Sequence, residues 1–276
     1  MDAVRAPVVS GRFYPDEPAE LERTVRDLLE AVSRPPAPPA RARAAVAPHA
    51  GYAYSGLTAA HVFARLEIPP VVVILAPNHT GVCEAPGGAS LWEAGAFRTP
   101  LGDVPVDDRF ARALLEASPL VGRDHAAHAR EHAVEVELPF LQLRRADVRI
   151  VPLVLAWDVW DRCRELGEAL GELVDRWPDR PLLLASSDLT HYEPASVAVR
   201  KDRRALEAVE ALDGAELLTR CRGEHISMCG RAPTASVLAA ARTFGGVHAE
   251  VVHYSHSGLV TGDDDAVVGY GGVVIA

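Results

Sequence analysis

The stretch Val71-Val72-Val73-Ile74-Leu75-Ala76-Pro77-Asn78-His79 decides the fold class of this 276-residue chain. It is an unbroken apolar run, far short of the ~18–20 residues a membrane helix needs. It has no alternating polar positions, so it reads as a strand covered on both faces. Residues 44–47, 148–155, 182–185, 247–252 and 267–275 read in the same way. Helical periodicity lies between them, over 18–31, 55–66, 107–116, 131–144, 161–176, 194–211 and 234–243. Alternating strands and helices predict an α/β chain. The expectation is a layered α/β/α single domain over residues 1–276, with a central, mixed and largely buried sheet. Residues 34–42 carry Pro35, Pro36, Pro38 and Pro39 and read as a stiff surface connection.

Composition narrows the function. The chain is 49% hydrophobic and 24% charged, with net charge -10 and no block of like charge. A phosphate-directed basic face is therefore not expected, which argues against nucleic acid as a partner. Nothing in the sequence reads as a signal peptide or a membrane span. The cysteines, Cys83, Cys163, Cys221 and Cys229, have no CxxC pairing. They read as free thiols in a reducing, cytoplasmic setting.

In open α/β sheets, ligands gather beyond the carboxyl ends of strands. His49 follows the run ending Ala47-Pro48, and His79 follows the run ending Ala76-Pro77-Asn78. This repeated pattern predicts that both imidazoles emerge side by side at one sheet edge. Asp188 and His191 follow the strand at 182–185, three residues apart, where a carboxylate could orient an imidazole or share acid–base work with it. Cys229 precedes Gly230 and Arg231 at an expected helix start, a setting that favours thiolate. Two imidazoles and a thiol are transition-metal ligand chemistry. Cys229 as a nucleophile, with His191 or His49 as base, is the alternative.

The segment Glu131-His132-Ala133-Val134-Glu135-Val136-Glu137-Leu138-Pro139 reads as helical. His132 and Glu135 would then share one face, and a solvated acidic face is the simplest reading. His61 reads as packing or surface, His125 and His128 as solvated loop residues, and His253 and His256 as strand-end groups. Cys83, Cys163 and Cys221 read as small buried side chains.

Seven segments in order resemble the Memo family, in particular its prokaryotic branch called AmmeMemoRadiSam system protein B. They are Gly11-Arg-Phe-Tyr-Pro15, Ala47-Pro-His-Ala-Gly-Tyr52, Ala76-Pro-Asn-His79, Phe97-Arg-Thr-Pro-Leu-Gly102, residues 131–139, Ser186-Ser-Asp-Leu-Thr-His191 and Cys229-Gly-Arg231. The resemblance implies a fold similar to the class III extradiol dioxygenases, which hold non-haem iron(II). It implies a pocket of His49, His79 and Cys229, with Asp188 and His191 beside it. It implies iron(II) or copper as the metal, and a radical SAM protein and an AMMECR1-like protein as partners, with an unidentified small-molecule or peptide ligand. Glu137 stands where some relatives carry histidine, and Thr80-Gly81 where some carry a second one. The function expected is metal binding with a redox or oxygenase-like role. The alternatives are a non-catalytic metal-binding or scaffold protein and a cysteine-nucleophile hydrolase.

Overall fold

A computed structural model of the chain describes residues 3–32, 42–245 and 248–276. The proline-rich connection expected at 34–42 lies outside the described residues except for Ala42, as does Val247 of the strand expected at 247–252. The first half of the chain forms β1 (Val4–Arg5), α1 (Pro18–Ala31), β2 (Ala44–Ala47), α2 (Tyr52–Ala64), β3 (Val71–Pro77), β4 (Ala89–Leu91), β5 (Ala96–Thr99), β6 (Gly102–Pro105), α3 (Asp108–Ala117) and β7 (Val121–Arg123). A 3-10 turn (Glu135–Glu137) then leads into α4 (Leu138–Arg144), β8 (Arg149–Leu155), α5 (Trp160–Arg176), β9 (Leu182–Ser186) and β10 (His191–Glu193). The chain closes with α6 (Ala195–Glu210), α7 (Gly214–Gly223), α8 (Arg231–Thr243), β11 (Ala249–His256), α9 (Gly258–Thr261) and β12 (Val267–Ile275).

The main sheet has the order β10-β12-β2-β9-β3-β8-β4-β7, with β11 also on β12. Its centre, β2-β9-β3-β8, is parallel. It becomes antiparallel at β12 against β2 and at β4 against β8, so the sheet is mixed, as expected. A small second sheet has the order β1-β5-β6.

Every residue of β3 is buried, which is why the run lacks polar alternation. The period-2 pleat divides it between two cores. Val71, Val73 and Leu75 join the core that receives Phe110, Leu166, Leu170, Leu217 and Val237 from α3, α5, α7 and α8. Val72, Ile74 and Ala76 join the core that receives Leu21, Val62, Phe63 and Phe140 from α1, α2 and α4. Helices thus cover both faces, giving the layered α/β/α architecture. Each buried Val, Leu, Ile or Phe among them contributes ~1.5–3 kcal/mol through burial. Caps fix helix starts: Asp107 accepts from Phe110 N (2.8 Å) before α3, and Asp213 from Glu216 N (2.9 Å) before α7.

The structure corrects several boundaries. The helix expected over 131–144 begins only at Leu138, where Pro139 occupies the first turn and suits it. The helix at 194–211 is followed by α7, over residues for which no helix was expected. The strands β4, β5, β6, β7 and β10 are each three or four residues long and carry no apolar run. β9 also lies between β2 and β3. His49 and His79 therefore follow strands that are not neighbours, and the Asp188 segment leaves the edge between them.

Candidate metal centre

Three parallel strands, β2, β9 and β3, open their carboxyl ends at one edge, as topology requires of strands joined by helical crossovers. His49 follows β2, Asp188 follows β9 and His79 follows β3. Cys229 arrives from the turn before α8. Gly230 permits that approach, because a Cβ there would lie 2.4 Å from Ser186 O and 2.4 Å from Ser187 Cβ. Ser187 Oγ accepts from Gly230 N at 3.0 Å and fastens the turn to the edge.

Asp188 joins the His49 loop to the Cys229 turn. Its Oδ1 accepts from His49 N (2.9 Å), and its own N–H points at Cys229 Sγ (3.2 Å). Burial raises its carboxyl to about 7, against the opposing pull of the His49 and Ala50 N–H groups. It does not hold the His191 ring. His191 Nδ1 lies 3.1 Å from Ser227 O, and His191 N donates to Ser227 Oγ at 2.8 Å. The expected Asp188–His191 pair is thus two separate contacts: one positions a loop and the other ties a ring.

The rings of His49 and His79 are 5.2 Å apart, centroid to centroid. His49 Nε2 lies 3.4 Å from Cys229 Sγ. One ligand atom from each of His49, His79 and Cys229 falls within 4.8 Å of the others. A tetrahedral ion with M–N of ~2.0 Å and M–S of ~2.3 Å spaces N and S by ~3.5 Å, close to the 3.4 Å between His49 Nε2 and Cys229 Sγ. The other ring nitrogens are already engaged, as expected for ligand histidines. Ser186 Oγ stands 2.8 Å from His49 Nδ1, Ala133 O and Glu137 Oε1. Burial pushes the Glu137 carboxyl well above its usual range, with the Asp188 charge adding to the rise and the Ser186 bond opposing it. Ser186 has a single proton, given to Ala133 O or Glu137 Oε1, so its oxygen accepts the Nδ1 proton of His49. The Nε2 lone pair of His49 then faces Cys229. Burial, reinforced by the charges of His132 and His79, holds His49 well below its ordinary pKa, which keeps the imidazole neutral.

His79 is held from behind. Glu131 Oε1 accepts from His79 Nδ1 (2.9 Å) and Oε2 from His79 N (2.7 Å). Burial alone would lower His79, but the hydrogen bond and charge of Glu131 outweigh it and raise its pKa. His79, Glu131 and His132 also lie within ligating distance of one another. Glu131 Oε1 also accepts from His132 N (2.9 Å) and Ala133 N (3.0 Å), so that oxygen is fully engaged in positioning the loop.

His132 belongs to the site but did not stand out in the sequence. Its ring stacks on His79 (4.8 Å, 19°), meets His49 edge-on (5.4 Å) and packs against Phe13 (5.1 Å). The expected solvated acidic face is absent: Glu131, Glu135 and Glu137 are all buried. The signal available was a segment in which Ala133, Val134, Val136 and Leu138 also needed burial, leaving the acids no solvent side. Glu135 accepts from Val8 N, Val9 N and Tyr14 and pairs with Arg5, locking the N-terminal segment under the site. His128 is buried, with Nε2 2.9 Å from Ser90 O, so it is not a solvated loop residue, whereas His125 stacks on Trp92 at 3.9 Å and keeps 41% of its side chain exposed. His61 stacks on His253 at 4.2 Å, away from these ligands.

The thiolate expectation for Cys229 also changes. Burial and the charge of Asp188 push the thiol well up. Arg231 turns away to Asp158, with Nη2–Oδ2 at 2.7 Å. Without a cation Cys229 is a thiol, and deprotonation requires one. Cys163 and Cys221 are buried, and Cys83 is half-buried. The centre opens into a cleft of about 410 Å³ lined by His79, Cys229, Trp157, Asp158 and Arg231, among others. Among the described residues, no helix is long and apolar enough to cross a membrane.

Residues 5–274 match the family model described as Memo-like protein. The chain is 40% identical to a MEMO1 family protein of Methanopyrus kandleri over 98% of both chains. It is 38% identical to one of Aquifex aeolicus, again over 98% of both. It resembles the solved structure of uncharacterized protein JW3007 from Escherichia coli K12, with a TM-score of 0.52 and 13% identity, over 85% of this chain and 100% of that one. At that identity the likeness concerns the fold.

Proposed function

This chain belongs to the Memo-like protein family, and on that premise we propose that it is a metal-binding protein whose ion is held by His49 Nε2, His79 Nε2 and Cys229 Sγ. The observation that carries this reading is the disposition of the ring nitrogens. Ser186 engages His49 Nδ1 and Glu131 engages His79 Nδ1, which leaves both Nε2 atoms free; His49 Nε2 lies 3.4 Å from Cys229 Sγ, and a ligand atom of His79 falls within 4.8 Å of both. Iron(II) or copper suits two imidazoles and a soft thiolate. A bound iron or copper ion would supply redox chemistry and a position for an exogenous ligand.

The chain's own residues set the conditions for that chemistry. Asp188 fixes the His49 loop and keeps a backbone N–H on the sulfur. Glu131 orients His79, and the Glu137–Ser186 pair sets the His49 tautomer. His132 and His191 lie close enough to influence His49 and are the candidate groups for moving protons. A cysteine nucleophile is opposed by the raised thiol and the neutral His49, since no imidazolium–thiolate pair is favoured there. A metal carrier or scaffold working with a radical SAM partner is the remaining alternative, and it shares the same ligands. Metal analysis after anaerobic purification tests the core of the reading. About one iron or copper per chain is expected, and most of it should be lost in Cys229→Ala and His49→Ala. Equal metal in wild type and Cys229→Ala would sink it.

A further inference from the structure

One wall of the cleft beside the metal ligands has no role in holding the ion. It is the ion pair between Arg231, at the start of α8, and Asp158, between β8 and α5. Arg231 directs both Nε (3.0 Å) and Nη2 (2.7 Å) at a single oxygen, Asp158 Oδ2, rather than one donor at each oxygen as fork geometry allows. The two side chains are 36% and 42% exposed. A pair so exposed contributes little and can exchange its partner.

The pair also stands between two cavities. On one side lies the cleft of about 410 Å³, in which His79 and Cys229 face Pro77, Leu155, Trp157 and Pro233. On the other lies a cavity of about 340 Å³ lined by Arg222, His225 and Ser227 as well as by the pair itself. The first offers apolar walls between a metal site and a guanidinium. The second offers the Arg222 guanidinium near a displaced Asp158.

We propose that the cleft takes a small organic acid with an apolar body, its carboxylate received by Arg231 in place of Asp158 and its other end lying against His79 and Cys229. The contact with the ion rests on the proposed metal-binding reading, whereas the contact with Arg231 does not. A carboxylate can meet the fork with both oxygens in parallel, a geometry Asp158 does not adopt. A neutral ligand of the same shape cannot take the guanidinium from Asp158.

Calorimetric titration of metal-free and metal-loaded protein with phenylacetate, its neutral counterpart 2-phenylethanol and phenyl phosphate tests the proposal. Phenylacetate is expected to bind at least about tenfold more tightly than 2-phenylethanol in both forms. Arg231→Gln should abolish that preference and Arg231→Lys should retain part of it, while Asp158→Asn should strengthen phenylacetate binding. Thermal unfolding of each variant confirms that it is folded. No saturable phenylacetate binding, equal binding of the acid and the alcohol, or a preference that survives in folded Arg231→Gln would overturn the proposal. Tighter binding of phenyl phosphate would overturn the carboxylate assignment. Metal content separates the two readings, because Arg231→Gln should keep its metal. A wild type that binds no metal but shows the Arg231-dependent preference loses only the metal reading, and the converse result loses only this one.

Discussion

The sheet has a cleft at each end, almost equal in size and opposite in character. The amino-end cleft, about 420 Å³, is lined by Arg43, Glu67, Pro69, Pro70, Arg145 and Arg180. Its charged side chains all stay at least partly exposed and meet solvent, surface acids such as Asp175 and Asp147, or backbone carbonyls. The carboxyl-end cleft, about 410 Å³, is lined by His79 and Cys229, and behind them stand His49, Glu131, Glu137 and Asp188, buried and engaged by named partners. Volume alone therefore says little about chemistry. The difference lies in polar groups taken out of water and aimed, which is costly unless each is satisfied and so marks a constrained site.

That contrast can be broken in graded ways. The largest stability effect is expected at Glu135, which lies under the site but binds no ligand. Glu135→Ala leaves Arg5 buried and unpaired and should cost ~3–5 kcal/mol in urea unfolding of the metal-free protein. A loss below about 1 kcal/mol would mean that the N-terminal clamp is not formed.

His128 comes next. Burial lowers its pKa to about 4 in the folded protein, against about 6.5 in a model peptide. The folded state resists the proton, so this stability is full above about pH 6.5 and is lost as pH falls towards 4. The loss amounts to ~3 kcal/mol. Unfolding measured across that window should show the slope in wild type and a flatter one in His128→Gln.

Glu131→Gln should weaken metal binding by ~10–100-fold in competition with a chromophoric chelator, since it releases the His79 ring. Arg43→Gln and Arg180→Gln, at the opposite cleft, should leave metal binding unchanged and stability within ~0.5 kcal/mol. Equal effects at the two ends would dissolve the distinction between them.

The same physics explains what could be read in advance. The β3 run was legible because burial on both faces removes every polar alternate, and the prolines before His49 and His79 marked where such strands end. β4 and β7 were not, because three-residue strands carry no period. The Glu131–Glu137 segment misled because acids spaced along an apolar frame look the same whether they face solvent or buried donors. Only tertiary contacts from Arg5, Tyr14, His79 and Ser186 distinguish the two. The Cys229 thiolate was misjudged for a related reason: Arg231 is adjacent in sequence, yet its guanidinium faces Asp158.

The most direct test is X-ray absorption at the metal edge of protein reconstituted anaerobically with iron(II) or copper(I). A sulfur shell at ~2.3 Å with nitrogen near ~2.0 Å is expected in wild type, and the sulfur should vanish in Cys229→Ser. A wild-type shell without sulfur, or one unchanged in Cys229→Ser, would contradict the assignment of Cys229 as a ligand.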